Sequence, residues 1–172
     1  VAVSRSRSNK GNLAIEDSRV VLGEMRIKKS AAELNFMRNA CKASSEAHVE
    51  VMKACKPGIN ERALHGVFMR AIMERGAARE GYGSIVASGA SATTLHYTFN
   101  DQPCKDGDIL LIDAGGEFNY YTADITRSYP VNGKFSPAQK RVYGKILDVQ
   151  KKLVAAVKPN ETRENIQKKA ID

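Results

Sequence analysis

Asp113 ends the apolar run Leu110-Leu111-Ile112, just before Ala114-Gly115-Gly116, and Asp124 lies inside Thr122-Ala123-Asp124-Ile125-Thr126. A carboxylate in such a strand-like setting costs free energy unless it is paired or binds a cation. If the two runs form a hairpin that turns near Phe118-Asn119, the aspartates face one another across the ladder, with Cβ atoms about 5 Å apart. No Lys or Arg lies between them in the sequence. Two like charges so placed repel, and a divalent cation held by hard oxygen donors would resolve the conflict. The spacing fits equally an Asp that caps a turn or bonds backbone amides. His96, in Leu95-His96-Tyr97, falls on the polar face of an alternating stretch. By itself it fits a solvated strand histidine as well as a catalyst. His48 and His65 lie in helical stretches and receive no role. The glycines of Gly81-Tyr82-Gly83 and Gly89 precede no helix and lack phosphate-loop spacing. Neither a Ser/His/Asp pattern nor a Cys beside a His motif is present for nucleophilic catalysis.

The elements that must position these residues alternate between two periods. Ser30-Ala31-Ala32-Glu33 is a capping box, and apolar residues then recur at helical spacing: Leu34, Met37, Cys41, Ala47, Val51, Ala54. The expected helix spans 31–55 and ends at Lys56-Pro57-Gly58. A second spans 60–75, with Leu64, Val67, Phe68, Ala71 and Ile72 inward and Gly76 as its stop. Period-two patterning then predicts strands over 84–88, 94–99, 108–117 and 122–130. In the second of these Leu95, Tyr97 and Phe99 would line one face and Thr94, His96 and Thr98 the other. Ser136-Pro137-Ala138-Gln139 is a second capping box and opens a helix over 137–157. Lys158-Pro159-Asn160 breaks it, and a last helix begins near Thr162. The order helix, Lys-Pro break, helix thus occurs twice, which fits an internal repeat as well as ordinary antiparallel helices.

The 172 residues suffice for one domain with a real core. Hydrophobic residues make up 42% and charged residues 27%, the balance of a soluble globular chain, and no apolar run is long enough to span a membrane. The start of the chain, residues 1–10, is rich in Ser, Arg and Asn and has no apolar core of a signal peptide. It does not begin with Met, so earlier sequence is expected to have preceded it. Cys41, Cys55 and Cys104 make an odd count without CxxC spacing, which predicts free thiols in a reducing compartment. The net charge of +8 is split between the ends: +4 over residues 1–30 and +6 over 134–172, against −2 between them. No aromatic-basic interleaving accompanies it, so no nucleic-acid partner is expected.

Several motifs together resemble the bacterial aminopeptidase P family: Ile85-Val86-Ala87-Ser88-Gly89, Leu95-His96-Tyr97 with Asn100, Gly107-Asp108-Ile109-Leu110-Leu111-Ile112-Asp113-Ala114-Gly115, and Tyr121-Thr122-Ala123-Asp124-Ile125-Thr126-Arg127-Ser128-Tyr129-Pro130 running on to Phe135. Glu24-Met25-Arg26-Ile27-Lys28-Lys29-Ser30 is similar to that family's entry into its catalytic domain. The resemblance covers roughly residues 20–160. It implies an α+β, pita-bread (creatinase/aminopeptidase) fold, an antiparallel sheet covered by helices, of which this chain would be the first half. Residues 1–25 would be a linker from an N-terminal domain, and 26–172 a partial catalytic domain. It further implies two divalent cations, usually manganese, held by two Asp, one His and two Glu. Asp113 and Asp124 match the two Asp, with Asp124 bridging both metals. The His and both Glu would come from the second half. His96 matches a substrate-side catalytic histidine outside the metal shell. Tyr82 and Thr126 would stand next to the metal ligands. The reaction implied is hydrolysis of the bond between an N-terminal residue and a following proline, by a cytoplasmic homo-oligomer acting on proline-containing peptides, with no membrane or nucleic-acid partner.

Three neighbouring readings compete. A prolidase, which cuts Xaa-Pro dipeptides, shares both Asp motifs, although Asp113-Ala114-Gly115 and the Arg127 after Asp124-Ile125-Thr126 look closer to aminopeptidase P. Methionine aminopeptidases usually carry His-Gly where this chain has Leu-His-Tyr. A non-catalytic pita-bread module that binds other macromolecules commonly loses metal ligands, whereas both Asp remain. The chain departs from the family in one loop: Gly89-Ala90-Ser91 stands where Gly-Glu-Asn or Gly-x-Asn is usual.

Overall fold

The computed structural model describes residues 17–171; the expectations for residues 1–16 lie outside them. Helix α2 (Ala31–Ala54) opens on the predicted capping box: Ser30 Oγ accepts from the Glu33 amide and the Glu33 carboxylate accepts from the Ser30 amide. Two of the four orphan donors of the helix start are thereby satisfied. Helix α3 (Glu61–Glu74) is capped by Asn60, whose side chain accepts from the Arg62 amide. The two helices pack on each other and cover one side of the sheet strands. Their inner faces build the core, with Val51, Leu64, Phe68 and Ile72 fully buried against Val86, Leu110 and Ile112. Of the stripe expected on α2, Ala47 and Val51 are buried, and its first half is displaced. Leu34 and Cys41 are exposed, and the buried positions are Ala40, Ala43, Ser44, Ala47, His48 and Val51. Small residues there let the sheet approach the helix closely.

Six short strands follow: β1 (Arg79–Glu80), β2 (Ile85–Ser88), β3 (Ile109–Asp113), β4 (Gly116–Phe118), β5 (Tyr121–Thr122) and β6 (Thr126–Pro130). They form two antiparallel three-stranded sheets, β2-β3-β6 and β1-β4-β5. The long strands expected over 108–117 and 122–130 are therefore one hairpin ribbon that passes from the first sheet into the second at Ala114-Gly115. Gly115 is the place of closest approach: a Cβ added to it would collide with the Ala123 carbonyl oxygen on the facing strand.

Two expectations are corrected. The hairpin turns at Asn119-Tyr120, not at Phe118-Asn119. Both residues have positive φ, 47° and 66°, as a two-residue turn that matches the strand twist requires. Phe118 then pairs with Tyr121, and Asp113 pairs with Thr126 instead of Asp124. The stretch 94–99 is not a strand. A 3-10 turn, Gly89–Thr93, leads into an irregular segment in which His96 takes φ 52° and Asn100 φ 49°. Leu95 and Phe99 are exposed. The edge of β2 that a strand would have covered is met by two side chains: Asn100 accepts from the Val86 amide (2.8 Å) and donates to the Ser84 carbonyl (2.9 Å), and Glu61 accepts from the Ser88 amide (2.7 Å).

Helix α4 (Pro137–Ala156) starts with the second predicted capping box, and α5 (Arg163–Ile171) follows the Lys-Pro break. Neither buries a residue. Ahead of α2, Ser18–Ile27 forms a further helix, α1, capped by Asp17, where no helix was expected although its apolar residues recur at helical spacing. None of the described helices is long and apolar enough to cross a membrane. The three cysteines are free, with Cys41 exposed and Cys104 buried.

Candidate metal centre

Asp113 is the last residue of β3, and Asp124 lies two residues before β6 on the facing strand. The ladder keeps its register between them: the Ala114 amide donates to the Ile125 carbonyl (3.1 Å) and the Ala123 amide to the Gly116 carbonyl (3.2 Å). Asp124 is thus two positions from Asp113's partner, Thr126, on the same face of the ribbon. Such diagonal neighbours lie about 7–8 Å apart at the backbone, within reach of longer groups. The predicted shared face survives the corrected turn because moving a hairpin's centre by one residue moves each partner by two.

Tyr82, in the bend between β1 and β2, joins the two carboxylates. Its hydroxyl donates to Asp113 Oδ1 at 2.6 Å and stands 3.4 Å from Asp124 Oδ1. Burial, the bond to Asp113 and the charges of both aspartates push the Tyr82 phenol far above its ordinary value, so it stays a donor. His96 completes the wall of the same open cleft, about 360 Å³, with Thr98 and Ile85. No Lys or Arg is among the lining residues. The two carboxylates therefore share one phenol proton and no neutralising cation from the cleft wall. Thr126 faces Asp113 across the ladder but lines the adjoining cleft with Tyr143 and Ile146. Tyr82, His96, Asp113 and Asp124 are thus brought together, and Thr126 flanks them.

Helix α2 supports the backbone between the two aspartates with two residues one turn apart. Ser44 Oγ accepts from the Gly116 amide at 2.8 Å. His48 Nε2–H donates to the Ala114 carbonyl at 3.1 Å. Its ring meets the edge of Phe68, with centroids 5.4 Å apart. Burial pushes the His48 pKa down, which keeps the ring neutral. Neither role was legible in the sequence, where Ser44 and His48 are ordinary helix positions. The one signal was their i, i+4 spacing on the buried stripe.

Bound divalent cations prefer hard oxygen donors, and the paired carboxylates with their phenol neighbour fit that preference. Among the described residues no group of three or more His, Cys, Asp and Glu converges. The pair by itself could therefore supply only part of a metal shell.

Residues 35–172 match the model of metallopeptidase family M24. The chain belongs to metallopeptidase family M24. Within it, the chain is 40% identical over 148 residues to an Xaa-Pro aminopeptidase of Haemophilus influenzae, a match that covers 86% of this chain and 34% of that protein. The fold is similar to that of proline aminopeptidase P II from Yersinia pestis, with a TM-score of 0.88 at 39% identity over 90% of this chain and 36% of the other. It is similar to the same degree (TM-score 0.88, 37% identity, 90% and 35% covered) to zinc-substituted Escherichia coli aminopeptidase P in complex with product. The α+β, pita-bread architecture expected from the resemblance is the one this M24 chain shares with those structures. The chain spans about a third of the length of the relatives it matches.

Proposed function

We propose that the protein carrying this chain is an Xaa-Pro aminopeptidase in which Asp113 and Asp124 are metal ligands and His96 is catalytic. One observation carries the reading: two carboxylates from facing strands, a shared Tyr82 hydroxyl and His96 line one cleft that no Lys or Arg enters. Similarity to Xaa-Pro aminopeptidases supports the substrate class. Residues 26–172 would form part of the catalytic domain, with residues 1–25 as a linker to an N-terminal domain. The remaining ligands, a His and two Glu, would come from sequence outside residues 1–172.

Asp113 and Asp124 would hold the cations from their shared face of the hairpin. When bound, two divalent cations, manganese by resemblance, supply polarisation of the scissile carbonyl and activation of water. Tyr82 fixes the orientation of Asp113 by donating to one oxygen, leaving the other free. Thr126 borders Asp113 from the opposite strand. His96, exposed on the cleft wall, meets the substrate next to its scissile bond and stabilises the charge that develops there. The same reading makes the protein a cytoplasmic homo-oligomer that acts on proline-containing peptides without a nucleic-acid or membrane partner.

The test is cleavage by the intact protein of a peptide with proline second, beside an Xaa-Pro dipeptide and a peptide lacking proline, each with and without chelator. Metal-dependent release of the first residue from the longer proline peptide is expected. Preference for the dipeptide would make it a prolidase, and no cleavage at all would favour a binding module. Residues 1–172 alone, with two carboxylates for cations that take about six ligands, are expected to hold metal weakly and to cleave nothing.

A further inference from the structure

The segment that carries His96 runs from Ser88, at the end of β2, to Gln102, and no strand lies within it beyond Ser88. Packing does not hold it, since Leu95 is 90% exposed and Phe99 74%. Buried Asn100 ties its end to Ser84 and Val86, and three consecutive residues around the start of α3 hold it at further points. Asn60 Nδ2 donates to the Asp101 carbonyl (2.9 Å), and Arg62 Nη2 donates to the Phe99 carbonyl (3.2 Å). Between them Glu61 is fully buried. Its Oε1 accepts from the Ser88 amide (2.7 Å) and the Ser88 hydroxyl (2.8 Å). Its Oε2 accepts from the Tyr97 hydroxyl (2.9 Å) and the Gln102 amide (3.0 Å). The Glu61 amide in turn donates to the Gln102 carbonyl (3.0 Å).

One carboxylate therefore ties the first, a middle and the last residue of the segment to a rigid helix. A buried carboxylate is costly unless its oxygens are satisfied. Four donors and the positive end of the α3 dipole satisfy this one. The middle tether, Tyr97, is the residue after His96, and His96 holds a left-handed conformation, φ 52°. Such a conformation is strained for a residue other than glycine and persists only where the surroundings impose it. Tyr97 also touches Asp101 Oδ1, at the longer distance of 3.2 Å.

We infer that Glu61, acting through Tyr97, is a positioning residue that fixes His96 on the wall of the cleft. The inference rests on the proposed catalytic role of His96 and adds to it the group that aims the ring. Glu61 touches neither carboxylate of the metal pair; its reach is to the loop alone.

The experiment compares the intact protein with Tyr97→Phe, Glu61→Gln, His96→Ala and the double variant His96→Ala/Tyr97→Phe. Tyr97→Phe keeps the ring and leaves Glu61 three donors, so the fold is retained even if Glu61→Gln, which turns an acceptor into a donor facing other donors, does not fold. Because a displacement near 1 Å can cost about 100-fold, Tyr97→Phe is expected to lower kcat roughly 10- to 100-fold, with KM and bound metal unchanged. In the His96→Ala background the same substitution is expected to have no further effect, since the pathway it acts through is gone. An unchanged kcat in Tyr97→Phe, or an equal loss in both backgrounds, overturns the inference while leaving the proposed function intact. Full turnover in His96→Ala overturns the catalytic reading of His96 and this inference with it.

Discussion

The hairpin that carries Asp113 and Asp124 is held by backbone hydrogen bonds in one register, whereas the segment that carries His96 is held by side chains reaching from a helix distant in sequence. In the hairpin, the side a residue faces follows from parity, so the two carboxylates share a face wherever the turn falls by a whole residue. In the loop no period exists, and placement depends on a few long-range bonds, to Asn60, Glu61 and Arg62 and from Asn100 to Ser84 and Val86. The ladder is robust to local error but intolerant of bulk at Gly115. The loop rests on its tethers. One cleft is therefore built from two walls that should fail in different ways.

The sharpest break between them is expected at the carboxylates. Asp124→Ala should lower the activity of the intact protein by more than the ~10²–10⁴-fold typical of a lost acid–base group, and by more than Asp113→Ala, because under the proposed reading Asp124 would serve both cations and Asp113 one. Steady-state kinetics with metal in excess checks the order; equal losses would remove the bridging assignment. Gly115→Ala comes next. Its Cβ would meet the Ala123 carbonyl, so the strands must part, at a cost of about 1–3 kcal/mol as for an overpacked core. Thermal melting reads that cost, and metal affinity should fall with it, since both aspartates flank the same ribbon.

These effects bear on how much was legible beforehand. Both capping boxes, helices α2, α3 and α4 and the shared face of Asp113 and Asp124 followed from residue types and spacing, since each is a local or periodic signal. The turn was misplaced by one residue because Tyr120 at φ 66° is a poor candidate on residue type alone. The alternation of Thr94–Phe99 mimicked a strand, yet Asn100 occupies the edge of β2 with its side chain. In the sequence, nothing sets Glu61 apart from any acidic residue in a helix first turn. Its burial depends on Ser88, Tyr97 and Gln102, which no window along the chain places together.

A smaller effect separates orientation from ligation. Tyr82→Phe removes the proton shared by the two carboxylates and should cost about 10- to 100-fold in activity or metal affinity, the range for groups that orient ligands. A metal titration of the variant checks it, and an unchanged affinity and rate would make the Tyr82 bond incidental. The smallest lies away from the cleft. The Ser30 amide and then the Tyr121 hydroxyl, both donating to Glu33, lower its pKa from its usual 4.5 to about 2. A carboxylate lowered on folding contributes stability that is present above about 4.5 and lost as the pH falls toward about 2. Glu33→Gln should flatten that part of the pH–melting profile, with the melting temperature lowered near neutrality, where the contribution is fully present, and converging on that of the unaltered protein as the pH falls toward about 2.

Metal content is the most direct measure of the division between ladder and loop. The intact protein, His96→Ala and Asp113→Ala/Asp124→Ala would each be loaded with manganese, dialysed and analysed for bound metal. His96→Ala should keep the stoichiometry of the unaltered protein, and the double Asp variant should lose it. Metal lost from His96→Ala, or kept by the double Asp variant, would contradict the assignment of ligands to the hairpin and of a substrate-side role to the loop.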